Sequence, residues 1–340
     1  MNYPFIQRKR TQPVSDEHLT LPRFQREDET HPEDYDADDQ LVDAVNVALL
    51  MGHPLLLTGE PGSGKTRLAF RIAWELGLEP VLTYSTKSTS TAKDLFYSYD
   101  YLARFHAAHL PDPVEPKQFI RYHALGEAII RTNPVNQVAH LLPPGFVHDS
   151  PKRSVVLIDE IDKAPRDFPN DILNEIENLC FRIPELSGHQ EITINQDVAP
   201  LIFITSNAEK ILPKAFLRRC AYYHIEFPST DRLIDIVTKK MKRIPSYLGR
   251  SHEPDHQFIA NAVELFFEIR HALPDDDLRP STAELIMWVA AMRDLSQTSN
   301  PIIQDSQAVN KAMTVLIKSK TANQTALQLY GNGSWKPKAK

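Results

Sequence analysis

Residues 55–70, LLLTGEPGSGKTRLAF, place the strongest limit on the folds open to this chain. The pattern predicts a buried strand that ends near Gly59 and an amphipathic helix that begins near Lys65. Between them lies a loop of glycine, proline and serine, whose backbone N–H groups are not covered by side chains. Such a loop beside a helix N-terminus attracts anions. The segment therefore predicts an anion-binding turn between a strand and a helix.

The loop also fits the pattern G-x-x-x-x-G-K-[ST], which is typical of nucleotide-binding sites. In this pattern the backbone N–H groups hold phosphate, the lysine reaches the outer phosphates and the threonine hydroxyl binds Mg²⁺. The predicted nucleotide-binding residues are Gly59, Glu60, Pro61, Gly62, Ser63, Gly64, Lys65, Thr66 and Arg67. A Gly-Ser turn without a ligand is the alternative, since the bare pattern arises by chance in about one chain in a hundred of this length.

Two further apolar segments end in polar residues. SVVLIDEID at 154–162 would deliver Asp159 and Glu160 beside the loop, with Asp159 holding Mg²⁺ through water and Glu160 acting as general base. PLIFITSN at 200–207 ends in Asn207, which would hold the attacking water against the terminal phosphate. Each feature alone is weak, because strands commonly end in charge or asparagine. Together with the loop they predict a nucleotide hydrolase.

The order of apolar segments predicts an α/β domain followed by a helical domain. Runs without polar alternation occupy 54–59, 81–86, 154–160, 200–207 and 222–228, as expected when helices cover both faces of a parallel sheet. From about Ser229 the segments show helical spacing only. The predicted domains are an acidic arm (1–34), a nucleotide-binding domain (35–228), a helical domain (229–330) and a basic tail (331–340).

Composition argues against several classes of protein. The start, MNYPFIQRKR, lacks the apolar core of a signal peptide, and the apolar region VALLMGHPLLL is interrupted, so the expected location is cytoplasmic, without a membrane span. Cys180 and Cys220 lack His or Cys neighbours at ligand spacing, which disfavours a metal site held by cysteine. A net charge of −6 disfavours a general nucleic-acid coat.

Taken in order, the motifs GEPGSGKT, LIDEID, ITSN and LPKAFLRRC resemble those of the AAA+ ATPases. The stretch from Tyr35 to Pro228 is similar to the MoxR-like branch of that family. The resemblance implies a P-loop αβα sandwich with a parallel five-stranded core sheet of order 5-1-4-3-2, and a C-terminal helical lid domain. It also implies a homo-oligomeric ring, a hexamer, with ATP and Mg²⁺ at the subunit borders.

The resemblance assigns roles to individual residues. Lys65 and Thr66 match Walker A, Asp159 and Glu160 match Walker B, and Asn207 matches sensor 1. The arginine that acts on a neighbouring subunit's nucleotide falls in LRRC, which makes Arg219 the predicted finger and Arg218 the second choice. A solvated basic pair at a helix end is the alternative. The candidate for sensor 2 is Arg279 in LRPSTAEL, which is displaced from the family's position and has a helix-flanking charge as its alternative.

The segment between Lys65 and Asp159 is longer than a strand-helix-strand connection requires, so it contains inserted material. Aromatic side chains in it would line a ring pore or, as the alternative, pack beneath a loop. They are Phe96, Tyr97, Tyr99, Tyr101 and Phe105. FRIPELSGHQEITINQ at 181–196 predicts a hairpin around Ser187-Gly188, where the family carries ring-surface elements.

Three functions remain open at this point. The predicted catalytic set, the family resemblance and the acidic balance favour an ATP-driven remodelling chaperone that acts on a protein partner. A nucleic-acid motor would need basic pore or lid surfaces, and a nucleotide-gated assembly switch would hardly turn over. A G-protein-like GTPase is disfavoured because Asn310-Lys311 is followed by Ala-Met rather than by the base-reading pattern Asn-Lys-x-Asp. The client would be a separate, unidentified chain.

Overall fold

A parallel sheet of five strands organises the first part of the chain. The computed structural model describes residues 31–109, 114–186, 191–246, 254–273 and 279–337. The chain divides between Pro228 and Ser229 into two units. Most of the predicted acidic arm (1–34), the predicted hairpin turn at Ser187-Gly188 and the last residues of the predicted tail lie outside the described residues.

The core sheet has the strand order β2-β5-β8-β1-β9, and its neighbouring strands are parallel. The strands are β1 (Leu55–Thr58), β2 (Leu82–Ser85), β3 (Tyr97–Tyr99), β4 (Ile120–Tyr122), β5 (Val155–Asp159), β6 (Cys180–Arg182), β7 (Glu191–Thr193), β8 (Leu201–Ser206) and β9 (Ala221–His224). These labels differ from the predicted 5-1-4-3-2 because β3, β4, β6 and β7 lie outside the core sheet. Numbered among themselves, the core strands run 2-3-4-1-5, which is 5-1-4-3-2 from the other edge.

Helices cover both faces of the sheet because its strands are apolar on both sides. The helices of this unit are α1 (Asp39–Met51), α2 (Lys65–Glu75), α3 (Tyr101–Ala107), α4 (Ala124–Thr132), α5 (Val135–Val138), α6 (Phe168–Asp171), α7 (Leu173–Asn178) and α8 (Lys214–Leu217). On one face, the buried residues of α1 and α2 form a core with Leu55 and Leu57 of β1. On the other face, Leu56 belongs to a core that contains α4. The predicted α/β architecture of this part is therefore confirmed.

Local signals set the ends of α1, which leads into the first strand. Asp38 caps its N-terminus by accepting a hydrogen bond from the N–H of Leu41 at 2.8 Å. Gly52 ends it in the left-handed conformation that glycine adopts at little cost. The helix buries Leu41, Val45 and Ala48, which are spaced three or four residues apart along one face.

The inserted material between β2 and β5 contains a two-stranded antiparallel ribbon, β3 with β4, and the helix α3 between them. Phe96 and Tyr97 are buried, whereas Tyr101 and Phe105 on α3 are 62% and 63% exposed. The predicted aromatic set is therefore divided, and part of it packs in the core. Gly126 of α4 lies so close to this ribbon that a Cβ there would meet the carbonyl oxygen of Phe96 at 2.0 Å.

Two further predictions concern the hairpin at 181–196 and the last strand of the core sheet. The predicted hairpin in 181–196 is present as the antiparallel pair β6 and β7. The predicted strand at 222–228 is shorter than expected, since β9 ends at His224. β9 ends there because its partner β1 ends at Thr58, and the last hydrogen bond of the pair runs from the N–H of Ile225 to the carbonyl oxygen of Thr58 at 2.8 Å.

The second unit is helical throughout its described residues. It contains α9 (Thr230–Met241), α10 (His256–Ala272), α11 (Thr282–Leu295), α12 (Pro301–Gln304), α13 (Ser306–Leu316) and α14 (Lys320–Tyr330). Trp288 of α11 and Phe266 of α10 are completely buried, which shows that this unit has an apolar core of its own. The predicted helical C-terminal part is thus confirmed.

Candidate active site

The loop between β1 and α2 approaches neighbouring backbone so closely that its first position requires glycine. A Cβ on Gly59, whose φ is 149°, would lie 2.5 Å from the carbonyl oxygen of Ile225. Gly64 has a φ of 97°, and a Cβ there would meet the ring of Tyr35 at 2.9 Å. Both positions combine a backbone conformation that disfavours other residues with a lack of space. The spacing of these glycines thus follows from the path of the loop.

Lys65 begins α2 and turns its ammonium group back toward the loop. Its Nζ donates to the carbonyl oxygens of Gly59 at 2.8 Å and Glu60 at 2.9 Å, and the side chain is buried. Burial lowers the pKa of Lys65, and the carboxylates of Asp162 and Asp159 oppose that shift. A buried ammonium group surrounded by oxygen atoms can exchange backbone carbonyls for the oxygens of a bound anion.

The remaining loop residues differ in their access to solvent. Pro61 and Gly62 are exposed, and Glu60, Gly64, Thr66 and Arg67 are half-buried. The hydroxyl of Ser63 is buried and has no hydrogen-bond partner among the described residues. Buried polar groups are normally paired, so an orphaned hydroxyl inside a glycine-rich loop is consistent with a polar ligand at this position.

Asp159 connects the end of β5 to two hydroxyl groups from other elements. Its Oδ1 accepts hydrogen bonds from Thr66 Oγ1 at 2.9 Å and from Thr205 Oγ1 at 2.6 Å. Thr66 and Asp159 are 93 positions apart in sequence. The fold therefore brings together the hydroxyl and the carboxylate that were predicted to share a metal ion.

Glu160 follows β5 in an unusual backbone conformation. Its N–H group and its carbonyl oxygen are both hydrogen-bonded. Its φ is 56° and its ψ is 52°, in the left-handed region. The N–H of Glu160 donates to Thr205 Oγ1 at 2.8 Å, and its carbonyl oxygen accepts from Thr86 Oγ1. Its carboxylate pairs with Lys163 Nζ at 2.6 Å and accepts from Asn207 Nδ2 at 3.4 Å. The hydrogen bond to Glu160 raises the pKa of Lys163.

Asn207, which follows β8, is placed through its backbone by a buried carboxylate. Asp162 Oδ2 accepts from the N–H groups of Asn207 at 3.1 Å and Glu209 at 3.0 Å. Asp162 is only 2% exposed, so these hydrogen bonds lie in a region of low dielectric constant and hold the segment after β8 firmly. The structure thus brings Glu160 and Asn207 together.

Arg219 lies just after α8 and is held by contacts within its own chain. Its Nε donates to Glu177 Oε2 of α7 at 2.8 Å, and its Nη1 donates to the carbonyl oxygen of Ala215 at 3.2 Å. Arg218, at the C-terminal end of α8, is exposed. Both arginines therefore lie with α7 and α8 and not in the hydrogen-bond network of Lys65 and Asp159.

Arg279 belongs to the other unit and lies just before α11. Its Nε donates to the carbonyl oxygen of Leu273 at 3.5 Å. The helix itself is capped by Ser281 and Glu284, which form a reciprocal capping box. Arg279 thus flanks a helix N-terminus, the position that its alternative interpretation expected.

Four polar residues that organise the site were not predicted from the sequence: Thr86, Asp162, Lys163 and Thr205. Asp162 and Lys163 follow Glu160 by two and three positions, and Thr205 precedes Asn207 by two positions. Their positions in the motifs were a signal, but which of their side chains turn inward depends on the packing of β5, β8 and the segment after β2.

Within the described ranges, no cluster of three or more His, Cys, Asp or Glu side chains has the geometry of a metal site. Both cysteines are free thiols, and burial raises the pKa of Cys220 to about 12. Among the same residues, no helix combines the length and apolar character needed to cross a bilayer. The candidate site consists of the loop after β1 and the ends of β5 and β8, which the hydrogen bonds of Lys65, Asp159 and Asn207 bring together.

Residues 54–220 match the family model described as an AAA domain of the dynein-related subfamily. The matched segment makes up just under half of the chain. It contains the loop after β1, both carboxylates after β5, Asn207 and the two candidate finger arginines, whereas Arg279 lies outside it. The candidate site and the family match thus fall on the same part of the chain.

Solved structures match this chain at low sequence identity. No curated protein sequence matches it. The Thermotoga maritima RuvB Holliday junction branch migration motor is 14% identical with a TM-score of 0.40, covering 85% of this chain and 66% of that chain. A mutant of Thermotoga maritima RuvB is 16% identical with a TM-score of 0.43, covering 81% of this chain and 67% of that one. This chain thus spans about two thirds of their length.

Proposed function

We propose that this protein is a cytoplasmic ATPase of the MoxR-like branch of the AAA+ family, which hydrolyses ATP to ADP and phosphate with Mg²⁺. The observation that carries the proposal is the 2.9 Å hydrogen bond between Thr66 and Asp159. It joins the Walker A hydroxyl to the Walker B carboxylate at the mouth of a glycine-rich loop. A loop without a ligand would have no need of these two groups at one point.

The chemistry of the donor set fits ATP and Mg²⁺. Lys65 and the loop backbone offer positive groups to phosphate oxygens, and the hydroxyl of Ser63 lacks a partner. Thr66 and Asp159 are oxygen ligands of the kind that Mg²⁺ prefers, either directly or through water. Bound Mg²⁺ would neutralise charge on the phosphates, as in other P-loop enzymes.

Each remaining residue has a task that its geometry supports. Lys65 binds the outer phosphate oxygens in place of the backbone carbonyls that it now contacts. Glu160 accepts a proton from the attacking water, and Asn207 orients that water. The 3.4 Å contact between Asn207 Nδ2 and Glu160 Oε1 supports a shared task for these two side chains.

The finer assignment concerns assembly and clients. We assign Arg219 as the finger that acts on a neighbouring subunit's nucleotide, with Arg218 as second choice, in a homo-oligomeric ring of six subunits. The motif order supports the MoxR-like branch, and the net charge of −6 favours a protein client over nucleic acid. The ring would remodel a separate protein chain in the manner of a chaperone.

A nucleotide-gated assembly switch with little turnover is the second candidate, and one contact favours it. Lys163 Nζ lies 2.6 Å from Glu160 Oε2, so an ion pair engages the carboxylate that would act as general base. The lysine side chain is 44% exposed, and an ion pair so accessible to water is typically worth about 1 kcal/mol or less. Its cost to catalysis would be on the order of a fivefold slower reaction, which leaves the ATPase as the better candidate.

Two substitutions test the proposal through steady-state phosphate release and equilibrium binding of labelled ATP. Glu160→Gln should bind ATP normally and lose roughly 10²- to 10⁴-fold in turnover, because the amide cannot accept the proton. Lys65→Ala should lose ATP binding as well. Glu75→Gln on α2, whose carboxylate pairs with Arg71, is a matched control and should keep full activity.

Hydrolysis by Glu160→Gln at the rate of the unaltered protein would refute the assignment of the base. A low rate in the unaltered protein, with tight ATP binding, would instead favour the switch. Competition with GTP tests which nucleotide the site prefers, since the family resemblance implies that it binds adenine. Displacement of labelled ATP by GTP at equal concentration would contradict that preference.

A further inference from the structure

Thr205 near the end of β8 is the buried centre of the hydrogen-bond network around the two Walker B carboxylates. Its side chain is fully buried, at 0% exposure. Its hydroxyl donates to Asp159 Oδ1 at 2.6 Å and accepts from the N–H of Glu160 at 2.8 Å. A hydroxyl has only one hydrogen to donate. Here that hydrogen is donated to Asp159, and the hydroxyl oxygen accepts a hydrogen bond from Glu160.

The contact with Glu160 matters because the backbone there is strained. A residue other than glycine at a φ of 56° persists only when its surroundings hold it in place. Thr205 binds the N–H of this residue, and Thr86 binds its carbonyl oxygen. The peptide groups on both sides of the candidate base are thus fixed by two threonine hydroxyls, one from β8 and one from the residue directly after β2.

The contact with Asp159 extends the network to the nucleotide-binding loop. Asp159 Oδ1 accepts a hydrogen bond from Thr66 Oγ1 at 2.9 Å in addition to the one from the hydroxyl of Thr205. One carboxylate oxygen therefore connects β5 with both α2 and β8. A displacement of this carboxylate would change the distance between the candidate Mg²⁺ ligands on β5 and α2.

We infer that Thr205 is a positioning residue, whose single hydroxyl sets both the carboxylate of Asp159 and the backbone of Glu160 for hydrolysis. This inference rests on the proposed function, since it concerns the same site. Thr205 acts through its two neighbours and does not touch the nucleotide. Partners in the second coordination shell of a metal site typically change metal affinity or activity by 10- to 100-fold when they are removed.

Thr205→Val provides the decisive variant, because valine nearly matches threonine in shape but cannot form either hydrogen bond. The N–H of Glu160 would lose its acceptor and Asp159 would lose one hydroxyl. We expect kcat to fall about 10- to 100-fold while the dissociation constant of ATP changes less than about threefold, since Lys65 and the loop are unaltered. The Mg²⁺ concentration that gives half-maximal ATP binding should also rise.

Two comparisons separate this role from a general need for a hydroxyl in the core. Thr205→Ser keeps the hydroxyl and should recover most of kcat. Thr132→Val is the matched control, because Thr132 is also 0% exposed, donates to Ile129 O at 2.7 Å and accepts from the N–H of Asn195 at 3.0 Å. It should lower the thermal unfolding midpoint about as much as Thr205→Val and leave kcat unchanged.

The decisive result is the pattern across these variants and a double substitution. In a Glu160→Gln background, Thr205→Val should cause a smaller further loss than in the unaltered protein, because the part of its effect that acts through Glu160 is already gone and only the part through Asp159 remains. If Thr205→Val does not fold, the pair Thr205→Ser and Thr205→Ala, which differ by one oxygen atom, takes its place. Unchanged kcat in the folded variant without the hydroxyl would overturn the inference.

The outcome remains separate from the test of the proposed function. Glu160→Gln alone decides whether this site hydrolyses ATP through the proposed base. If that variant loses turnover and Thr205→Val does not, the function stands and the role of Thr205 is refuted. If Thr132→Val loses kcat to the same extent as Thr205→Val, the effect is one of core stability, and the role of Thr205 is refuted as well.

Discussion

At the residue scale, backbone strain coincides with the candidate chemistry. Glu160, Leu179 and Ala208 are the non-glycine residues with positive φ in the part of the chain that the structure describes. Glu160 is the proposed base, and Ala208 directly follows Asn207. Such conformations cost about 1–3 kcal/mol each and persist where surrounding contacts hold them. Here those contacts come from Thr86, Thr205 and Asp162, which the motif patterns alone did not identify as site residues.

The ion pair between Arg219 and Glu177 is a second residue-scale feature, and its energetic weight can be predicted. The two side chains are 40% and 55% exposed, so water screens their attraction. We expect Glu177→Gln to change the free energy of unfolding by less than about 1 kcal/mol, as measured by urea denaturation. Glu75→Gln, which breaks the exposed pair with Arg71, is the matched control. A loss above about 2 kcal/mol would show that the pair supports the fold.

At the element scale, a single carboxylate joins the inserted ribbon to the hairpin region. Glu185 follows β6 and accepts hydrogen bonds from Lys93 Nζ at 2.6 Å, from Tyr97 OH at 2.8 Å and from Tyr101 OH. Its side chain is only 10% exposed. Lys93 also lies over the ring of Tyr97, with Nζ 4.7 Å from the centroid. These contacts attach β3 and α3 to the segment after β6.

This carboxylate makes the stability of the fold depend on pH in a predictable direction. Burial alone would raise the pKa of Glu185, but the hydrogen bonds from Lys93, Tyr101 and Tyr97 outweigh it and lower the pKa to about 2. A carboxyl group with a depressed pKa stabilises the fold fully above its ordinary pKa of 4.5, and that contribution is lost as the pH falls from 4.5 toward 2.

Urea denaturation of the unaltered protein and of Glu185→Gln at several pH values tests this dependence. At pH 7 the substitution should lower the free energy of unfolding by up to about 3 kcal/mol, and the difference should shrink below pH 4.5. Glu191→Gln on β7, which breaks an exposed pair with Arg182, should show a small difference at every pH. A difference for Glu185→Gln that stays constant down to pH 3 would contradict the assignment.

The exposed helix α3 leaves part of the pore prediction open. Tyr101, Leu102 and Phe105 are each more than 60% exposed on it, while Phe96 and Tyr97 are buried beside Phe181. Because Phe96 and Tyr97 are buried, they are not direct contacts of a client. A pore contact by Tyr101 or Phe105 stays a prediction.

At the scale of the whole molecule, the proposed ring needs a residue from each neighbour. Arg219→Ala should bind ATP normally and lose turnover by roughly 10³-fold, because a finger in trans stabilises charge that develops during phosphoryl transfer. Lys65→Ala should be inactive for a different reason, because it does not bind ATP in its own loop. A mixed ring would contain some borders with an intact loop facing an intact Arg219. Phosphate release should therefore reappear when the two inactive variants are mixed.

Each variant alone, at the same total concentration, is the control for that mixture. Light scattering and chromatography show whether mixed oligomers have formed. If they have formed and phosphate release does not return, Arg219 is not a trans-acting finger. The basic pair after α8 would then be a solvated helix end, as its alternative interpretation holds.

The sequence by itself determined the features that depend on local patterns. Glycine spacing identified the loop, apolar runs identified the core strands, and three-and-four spacing identified the helices of the second unit, because these signals arise from residues close in the chain. The strand order came from the family resemblance and not from spacing. The length of the last strand was wrong, since contact with the end of β1 sets where β9 stops.

The tertiary structure alone decided how distant residues meet. The bridge from Thr66 through Asp159 to Thr205 joins three segments of the chain, and the pair of Arg219 with Glu177 joins two more. The division of the insertion's aromatic residues into buried and exposed sets likewise depends on tertiary packing, since Phe96 and Tyr97 are buried beside Phe181 of β6. Contacts of this kind form only when separate elements pack together, and no short-range pattern in the sequence encodes which hydroxyl will face which carboxylate.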